Sequence, residues 1–227
     1  MTRLGLLFLL IFSMSAQAQT STPSPSSNDT SNAPATPTVW FTAGPGFSNL
    51  TGQDSLIETE RTGLMVGADY ELPLTQTFSV QAGLDYIQKG QHVNGILASP
   101  NNTQDYQLNY FEIPVVARVN LSVYKVDKVS FFAGPYAAIA VSRNLNNSNN
   151  TDIHNPVVTN TSLSSSLKSY DFGVRLGAAF EIPLTDTWIA TAGADYDLGL
   201  MNIDSVDGGP TVNNRSLLVS LGLGMKL

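Results

Sequence analysis

The chain has 227 residues and no cysteine, so neither a disulfide framework nor a lipoprotein anchor on an N-terminal Cys is expected. Eighteen acidic residues against eleven basic ones give a net charge of −7, which disfavours a nucleic-acid partner. The charged fraction of 13% lies well below the roughly 25% of a soluble domain, which points away from an ordinary cytosolic protein and fits strands that face lipid.

Residues 1–18 carry Arg3, an apolar run over 4–12 and Ala16-Gln17-Ala18 before Gln19, the pattern of a secretory signal peptide with an A-x-A cleavage site. The run is too short to span a bilayer as a helix. No later segment reaches the roughly 18 uninterrupted apolar residues that a spanning helix needs, so any crossing of a membrane is by strands. Residues 19–37 (QTSTPSPSSNDTSNAPATP) offer no large apolar side chain to bury and read as a disordered Ser/Thr/Pro/Asn linker.

Strands follow over 38–227. The clearest is 167–183 (LKSYDFGVRLGAAFEIP), where Tyr170, Phe172, Val174, Leu176, Ala178, Phe180 and Ile182 alternate with Ser169, Asp171, Gly173, Arg175, Gly177, Ala179 and Glu181. A period of two means that successive side chains point to opposite faces, here one apolar and one small or charged. Such a strand reads as transmembrane, with lipid outside and a polar lumen inside. An internal repeat supports this: 71–86 (ELPLTQTFSVQAGLDY) and 181–196 (EIPLTDTWIATAGADY) share nine of sixteen positions at an offset of 110, so one hairpin is written twice. Each copy turns tightly, through Thr75-Gln76 or Thr185-Asp186. Each also places an aromatic at both ends of its apolar face, Phe78 with Tyr86 and Trp188 with Tyr196. Eight residues span about 26 Å along a strand, or about 20 Å along the membrane normal at a tilt near 40°, close to the distance between the aromatic girdles of an outer-membrane barrel.

In chain order the pattern predicts strands at 38–49, 61–74, 77–91, 106–121, 129–143, 167–184, 187–201 and 214–227. Eight strands with alternately long and short connections predict an all-β fold, an eight-stranded antiparallel up-and-down transmembrane β-barrel with short turns on the periplasmic side. Pro45, Pro114 and Pro135 fall inside these strands, where bulges are expected because proline lacks a ladder donor.

Three of these strands carry a family resemblance. Residues 109–121 (NYFEIPVVARVNL), 131–140 (FFAGPYAAIA) and 170–182 (YDFGVRLGAAFEI) resemble, in the same order, the "Y-L-E-I-P-L-L-x-K/R", "aGPYxG" and "DFGxxxGxGxE" strands of the PorT-type outer-membrane β-barrel family. The resemblance implies a small, porin-like barrel of the Gram-negative cell envelope over 38–227. It supplies no catalytic motif, and its namesake implies a link to a protein-secretion system.

The inward face carries the ionisable groups. Asp69, Asp85, Glu112, Arg118, Asp171, Arg175 and Asp195 are expected to pair across the interior as a structural network, because an eight-stranded barrel is just wide enough for its own side chains. Glu71 and Glu181, which precede the tight turns, are expected to be hydrated at the periplasmic rim. Catalysis is not expected: the two histidines, His92 and His154, fall in predicted loops with no G-x-S-x-G signature and no second metal ligand at motif spacing. No cofactor is implied. Loop 144–166, rich in Asn and Ser, reads as a hydrophilic cover, with Ile153, Pro156, Val157 and Val158 hinting at a contact patch or a hairpin above the membrane.

The chain is therefore read as an exported, monomeric, non-enzymatic barrel in contact with outer-membrane lipid. Its role is structural, adhesive or in envelope assembly, and its loops are the place for envelope or secretion partners. An accessory component of a secretion machine is the second reading. A soluble lipocalin-like barrel with its apolar face inward is the third, disfavoured by the absence of the scattered lysines a solvated outer face would carry: strands two, three, six and seven contain only Lys89 and Lys168, near the ends.

Overall fold

A computed structural model describes residues 36–51, 58–96, 99–123, 126–149, 157–162, 167–204 and 211–227. The proposed signal peptide, and all of the linker but Thr36 and Pro37, lie outside the described residues. The strands are β1 (Thr38–Thr51), β2 (Glu58–Pro73), β3 (Phe78–Ile96), β4 (Ser99–Val123), β5 (Val126–Asn149), β6 (Val157–Ser162), β7 (Tyr170–Pro183), β8 (Trp188–Gly199) and β9 (Asn213–Lys226). All pairings are antiparallel, in the order β4-β3-β2-β1-β9-β8-β7-β5, and a β4–β5 pairing closes the ring. Eight strands thus form a closed barrel, and β6 stands outside it.

The register fixes the barrel's shape. The chain of partners Leu121, Val129, Phe180, Ala192, Leu221, Ala43, Val66, Tyr86 and Phe111 runs once round the ring and returns to β4 ten residues from its start. A shear of ten over eight strands corresponds to a tilt of about 40°. The residues on this path are all apolar and point outward. The outward run on β4 from Leu121 to Phe111 then rises about 25 Å along the barrel axis, the height of a membrane's apolar band. Leu176, 47% exposed, lies near the middle of that band, and Phe41, Phe131, Phe172, Phe180 and Leu221 are likewise exposed. So many large apolar side chains on one continuous outer face are stable only against lipid.

The three strand prolines behave differently from expectation, since none sits at a bulge. Each interrupts the ladder toward one neighbour and keeps it toward the other: Pro45 pairs with Leu64, Pro114 with Tyr136 and Pro135 with Val174, while the register on the broken side resumes unshifted. In an antiparallel strand a residue's N–H and C=O point to the same neighbour, so one missing donor weakens one side alone. Gly44 and Gly134 precede Pro45 and Pro135, and a Cβ on either would run into the backbone of the facing strand. The register shifts lie elsewhere, between Glu60 and Met65 on β2, between Asn94 and Ile96 on β3, and between Asn109 and Tyr110 and between Leu121 and Val123 on β4. Facing the first of these, Gly90 adopts φ +142°, where a Cβ would meet the Tyr106 carbonyl.

Two predicted loops are partly strand. Within 92–105, residues 92–96 continue β3 and residues 99–105 continue β4, and the two stretches pair; within 144–166, residues 144–149 and 157–162 pair with each other. Beyond the apolar band, β3, β4, β5 and β6 form a protruding sheet. No described strand pairs with the outer edge of β6.

Candidate functional site in the barrel lumen

The inward faces of the eight strands meet in a packed polar interior with three levels. Nearest the tight turns is an Arg118 cluster. Arg118 Nη2 donates to Glu181 Oε1 at 2.6 Å, its Nη1 donates to Gln81, and the guanidinium lies over the Phe132 and Trp40 rings at 5.3 and 5.8 Å. Glu71 accepts from Trp40 Nε1 at 2.8 Å, Ser79 Oγ at 2.6 Å and Asn120 Nδ2 at 3.3 Å. Glu71 and Glu181 are therefore not hydrated at the rim, as expected from their place before the turns, but buried and bound. Their odd numbers put them on the lumen face, and the interior donors hold them there.

The middle level is organised by Arg175. Its guanidinium bonds Asp85 at 2.5 Å, Glu112 at 2.7 Å and Asp197 at 2.8 Å, and Lys89 Nζ bonds Glu112 at 2.8 Å and Asp197 at 3.2 Å. Lys89 also lies 4.7 Å from the Tyr136 ring centre. Three carboxylates and two cations thus share one buried node, in which each guanidinium or ammonium donor is aimed at a carboxylate oxygen.

Above it, Asn214 Nδ2 donates to Asp171 Oδ2 at 2.8 Å and to Tyr110 OH at 3.3 Å, and Tyr136 OH donates to Asp171 Oδ2 at 3.4 Å. The far end is closed by an apolar plug in which Leu167, Ile203 and Val212, from the connections before β7 and between β8 and β9, pack on Leu50, Leu108, Tyr110 and Tyr136. Backbone bonds from Lys168 to Ile203 at 2.7 Å and from Ile203 to Val212 at 2.8 Å hold the plug.

All seven network residues predicted from sequence face the lumen. The structure joins Asp85, Glu112 and Arg175 directly, places Arg118 in a separate cluster, and ties Asp171 to Asn214 rather than to a cation. Asp69 and Asp195 form no ion pair among the described residues; both line a cavity of about 50 Å³ between the two charged clusters. The aromatics Phe78, Tyr86, Trp188 and Tyr196 point outward as predicted, and Tyr86 packs edge-on against Phe111 at 5.7 Å.

Some lumen residues were not among the predicted network: Lys89 is fully buried rather than near a wet strand end, Trp40 is equally inward, and Asp197, whose alternation already puts it on the polar face, joins the Arg175 node. Parity was the available signal, since 89 shares its face with Asp85, 197 with Asp195 and 40 with Thr42. The repeat explains the asymmetry. At the 110-residue offset, Arg175 and Asp197 correspond to Met65 and Ile87, which form a small apolar cluster with Leu218. One hairpin fills its part of the lumen with an ion pair, and its copy does so with hydrocarbon.

Among the described residues no three His, Cys, Asp or Glu side chains are grouped to hold a metal, and no helix is long and apolar enough to cross a membrane. A family profile described as "Outer membrane protein beta-barrel domain" matches residues 14–205. Among solved structures, the outer membrane protein OprG from Pseudomonas aeruginosa is similar at 12% identity and a TM-score of 0.53, covering 86% of this chain and 97% of its own. The attachment invasion locus protein Ail of Yersinia pestis matches at 9% identity and a TM-score of 0.44, with 85% and 99% covered. Neisserial surface protein A matches at 12% identity and a TM-score of 0.42, with 83% and 97% covered. No curated protein matches this chain.

Proposed function

The chain belongs to the outer membrane protein beta-barrel domain family, and from that premise we propose that it is a non-enzymatic, monomeric barrel whose lumen passes no solute and whose work is done by contact at the cell surface. The observation that carries this is the filled interior: the Arg175 node crosses the middle of the lumen and the Leu167–Ile203–Val212 plug seals the end away from the tight turns. In this reading residues 1–18 direct export and are removed, the tight turns face the periplasm, and the protruding β3–β6 sheet faces outward. The outer edge of β6, which no described strand pairs with, favours an adhesive or assembly role, because backbone donors and acceptors along such an edge can pair with another chain. The three strand motifs support placement in the PorT-type branch, with an accessory part in protein secretion as the second reading.

Envelope fractions extracted with carbonate and urea, then run on SDS gels with and without boiling, test the integral barrel. A resistant, heat-modifiable band is expected, and release into the soluble fraction would contradict it. Removing residues 144–162 separates the two roles: loss of surface attachment with secretion intact supports contact, and a secretion defect supports the machine component.

A further inference from the structure

The tight-turn end of the lumen opens on a second cavity, of about 220 Å³, whose floor and rim carry opposite charge. On the floor, Glu71 and Glu181 are already bonded. Trp40, Ser79 and Asn120 donate to Glu71, and Arg118 and Ser130 donate to Glu181 at 2.6 and 2.9 Å. At the rim stand Lys128 and Lys226, at the tight-turn ends of β5 and β9, half-buried and on the lumen-facing parity of Ser130 and Ser220. The ion pairs among the described residues use Arg61, Lys89, Arg118 and Arg175 and include neither lysine.

Around this mouth three cations, Arg118, Lys128 and Lys226, face the two carboxylates. The surplus is one positive charge, in a chain whose net charge is −7. It sits on the ammonium groups, because the Arg118 guanidinium is held by Gln81, Glu181 and two aromatic rings. A single surplus charge matches a monoanion, whereas a dianion such as phosphate would overcompensate it beside Glu71 and Glu181. The neutral part of the lining is mixed: Trp40, Pro73 and Ile189 offer apolar surface, and Thr36 and Thr38 lie among them. The volume is several times the roughly 30 Å³ of a water-sized group, so the cavity takes a carboxylate together with what is attached to it.

We infer that this mouth binds the free C-terminal carboxylate of an extended peptide, held by the ammonium groups of Lys128 and Lys226, with the small side chain of its last residue against Trp40 and Ile189. Capture of a chain terminus is a recurring mode of peptide recognition, and lysine serves it as a flexible point charge with three donors. The site lies at the end of the barrel opposite the protruding sheet and does not depend on the surface-contact reading. With the tight turns in the periplasm, the bound terminus belongs to a periplasmic polypeptide, and the barrel holds a partner on each side of the membrane.

The chain has two tryptophans, so Trp188→Phe leaves Trp40 as the reporter. The full chain is folded in detergent, its state verified by the gel-mobility shift, and titrated at constant ionic strength with N-acetyl-trialanine as the free acid, the same peptide as its C-terminal amide, and N-acetylalanine. One equivalent of the free-acid peptide should bind, read by Trp40 emission and by equilibrium dialysis, and the amide should bind at least tenfold more weakly. Lys128→Gln and Lys226→Gln should each weaken the acid several-fold, and Lys226→Arg, which keeps the charge, should restore most of the affinity. No binding to the folded wild type, equal binding of acid and amide, or unchanged affinity in the folded Gln variants would overturn the assignment. N-acetylalanine binding as tightly as the peptide acid would overturn it in favour of a free organic acid. The comparison of acid with amide on the wild-type lysines keeps the test decisive if a Gln variant fails to fold.

Discussion

Replacing Arg175 by Met tests whether the middle node holds the barrel together. Arg175 is 5% exposed and supplies the ion pair of Asp85 while sharing Glu112 and Asp197 with Lys89. Arg175→Met leaves Asp85 buried without a cation and raises the node's excess from one negative charge to two. Removing one partner of a buried pair costs about 3–5 kcal/mol, and Lys89 limits the loss at the other two carboxylates, so the lower half of that range is expected. The repeat suggests the compensating change. Arg175→Met with Asp197→Ile copies the Met65–Ile87 pair of the first hairpin and returns the node to a single excess negative charge. Equilibrium urea unfolding in lipid vesicles, read by tryptophan fluorescence and gel mobility, should show the double variant recovering part of the loss, with a favourable coupling above about 1 kcal/mol. Arg175→Met within about 1 kcal/mol of wild type, or additive effects in the cycle, would refute the claim that this node is a stabilising unit.

Three further outcomes follow from the same geometry. Leu176→Arg, near the middle of the outward band, should lower vesicle-folded stability by about 2–4 kcal/mol, and an unchanged urea midpoint would mean that this face does not meet lipid. Gly44→Val should sharply reduce the folded, heat-modifiable fraction, because its Cβ would meet the Val219 carbonyl across the β1–β9 junction, whereas Gly193→Ala, whose Cβ contacts begin at 3.4 Å, should fold with near wild-type yield. Ile203→Asp places a charge in the apolar plug, so the connections at that end should become sensitive to added protease while the barrel's gel shift is retained.

The eight barrel strands were legible because lipid enforces the alternation: a strand with hydrocarbon on one face and a packed lumen on the other cannot place its residues otherwise. That rule lapses where both faces meet water. Beyond Gln88 on β3 and Asn109 on β4 the outward residues turn polar, the period fades, and 92–105 reads as a loop although residues 92–96 and 99–105 continue the two strands. The β5–β6 hairpin escaped for the same reason, with Val157 and Val158 as its faint signal. Within the lumen, parity identified which residues face inward but not which of them touch. Those contacts depend on the shear, which places Arg175 of β7 against Glu112 of β4 and Asp85 of β3 across the barrel, and on Lys89, whose length carries its ammonium to Asp197 on the far wall. The prolines misled because one missing donor breaks one side of a ladder without shifting its register.

The closed lumen is the centre of this account, and osmotic swelling of proteoliposomes tests it most directly. Vesicles carrying the full chain, its folded state verified by the gel shift in the same sample, should swell in small sugars no faster than protein-free vesicles. Swelling that rises with the amount of folded protein would contradict the filled interior and make the chain a pore.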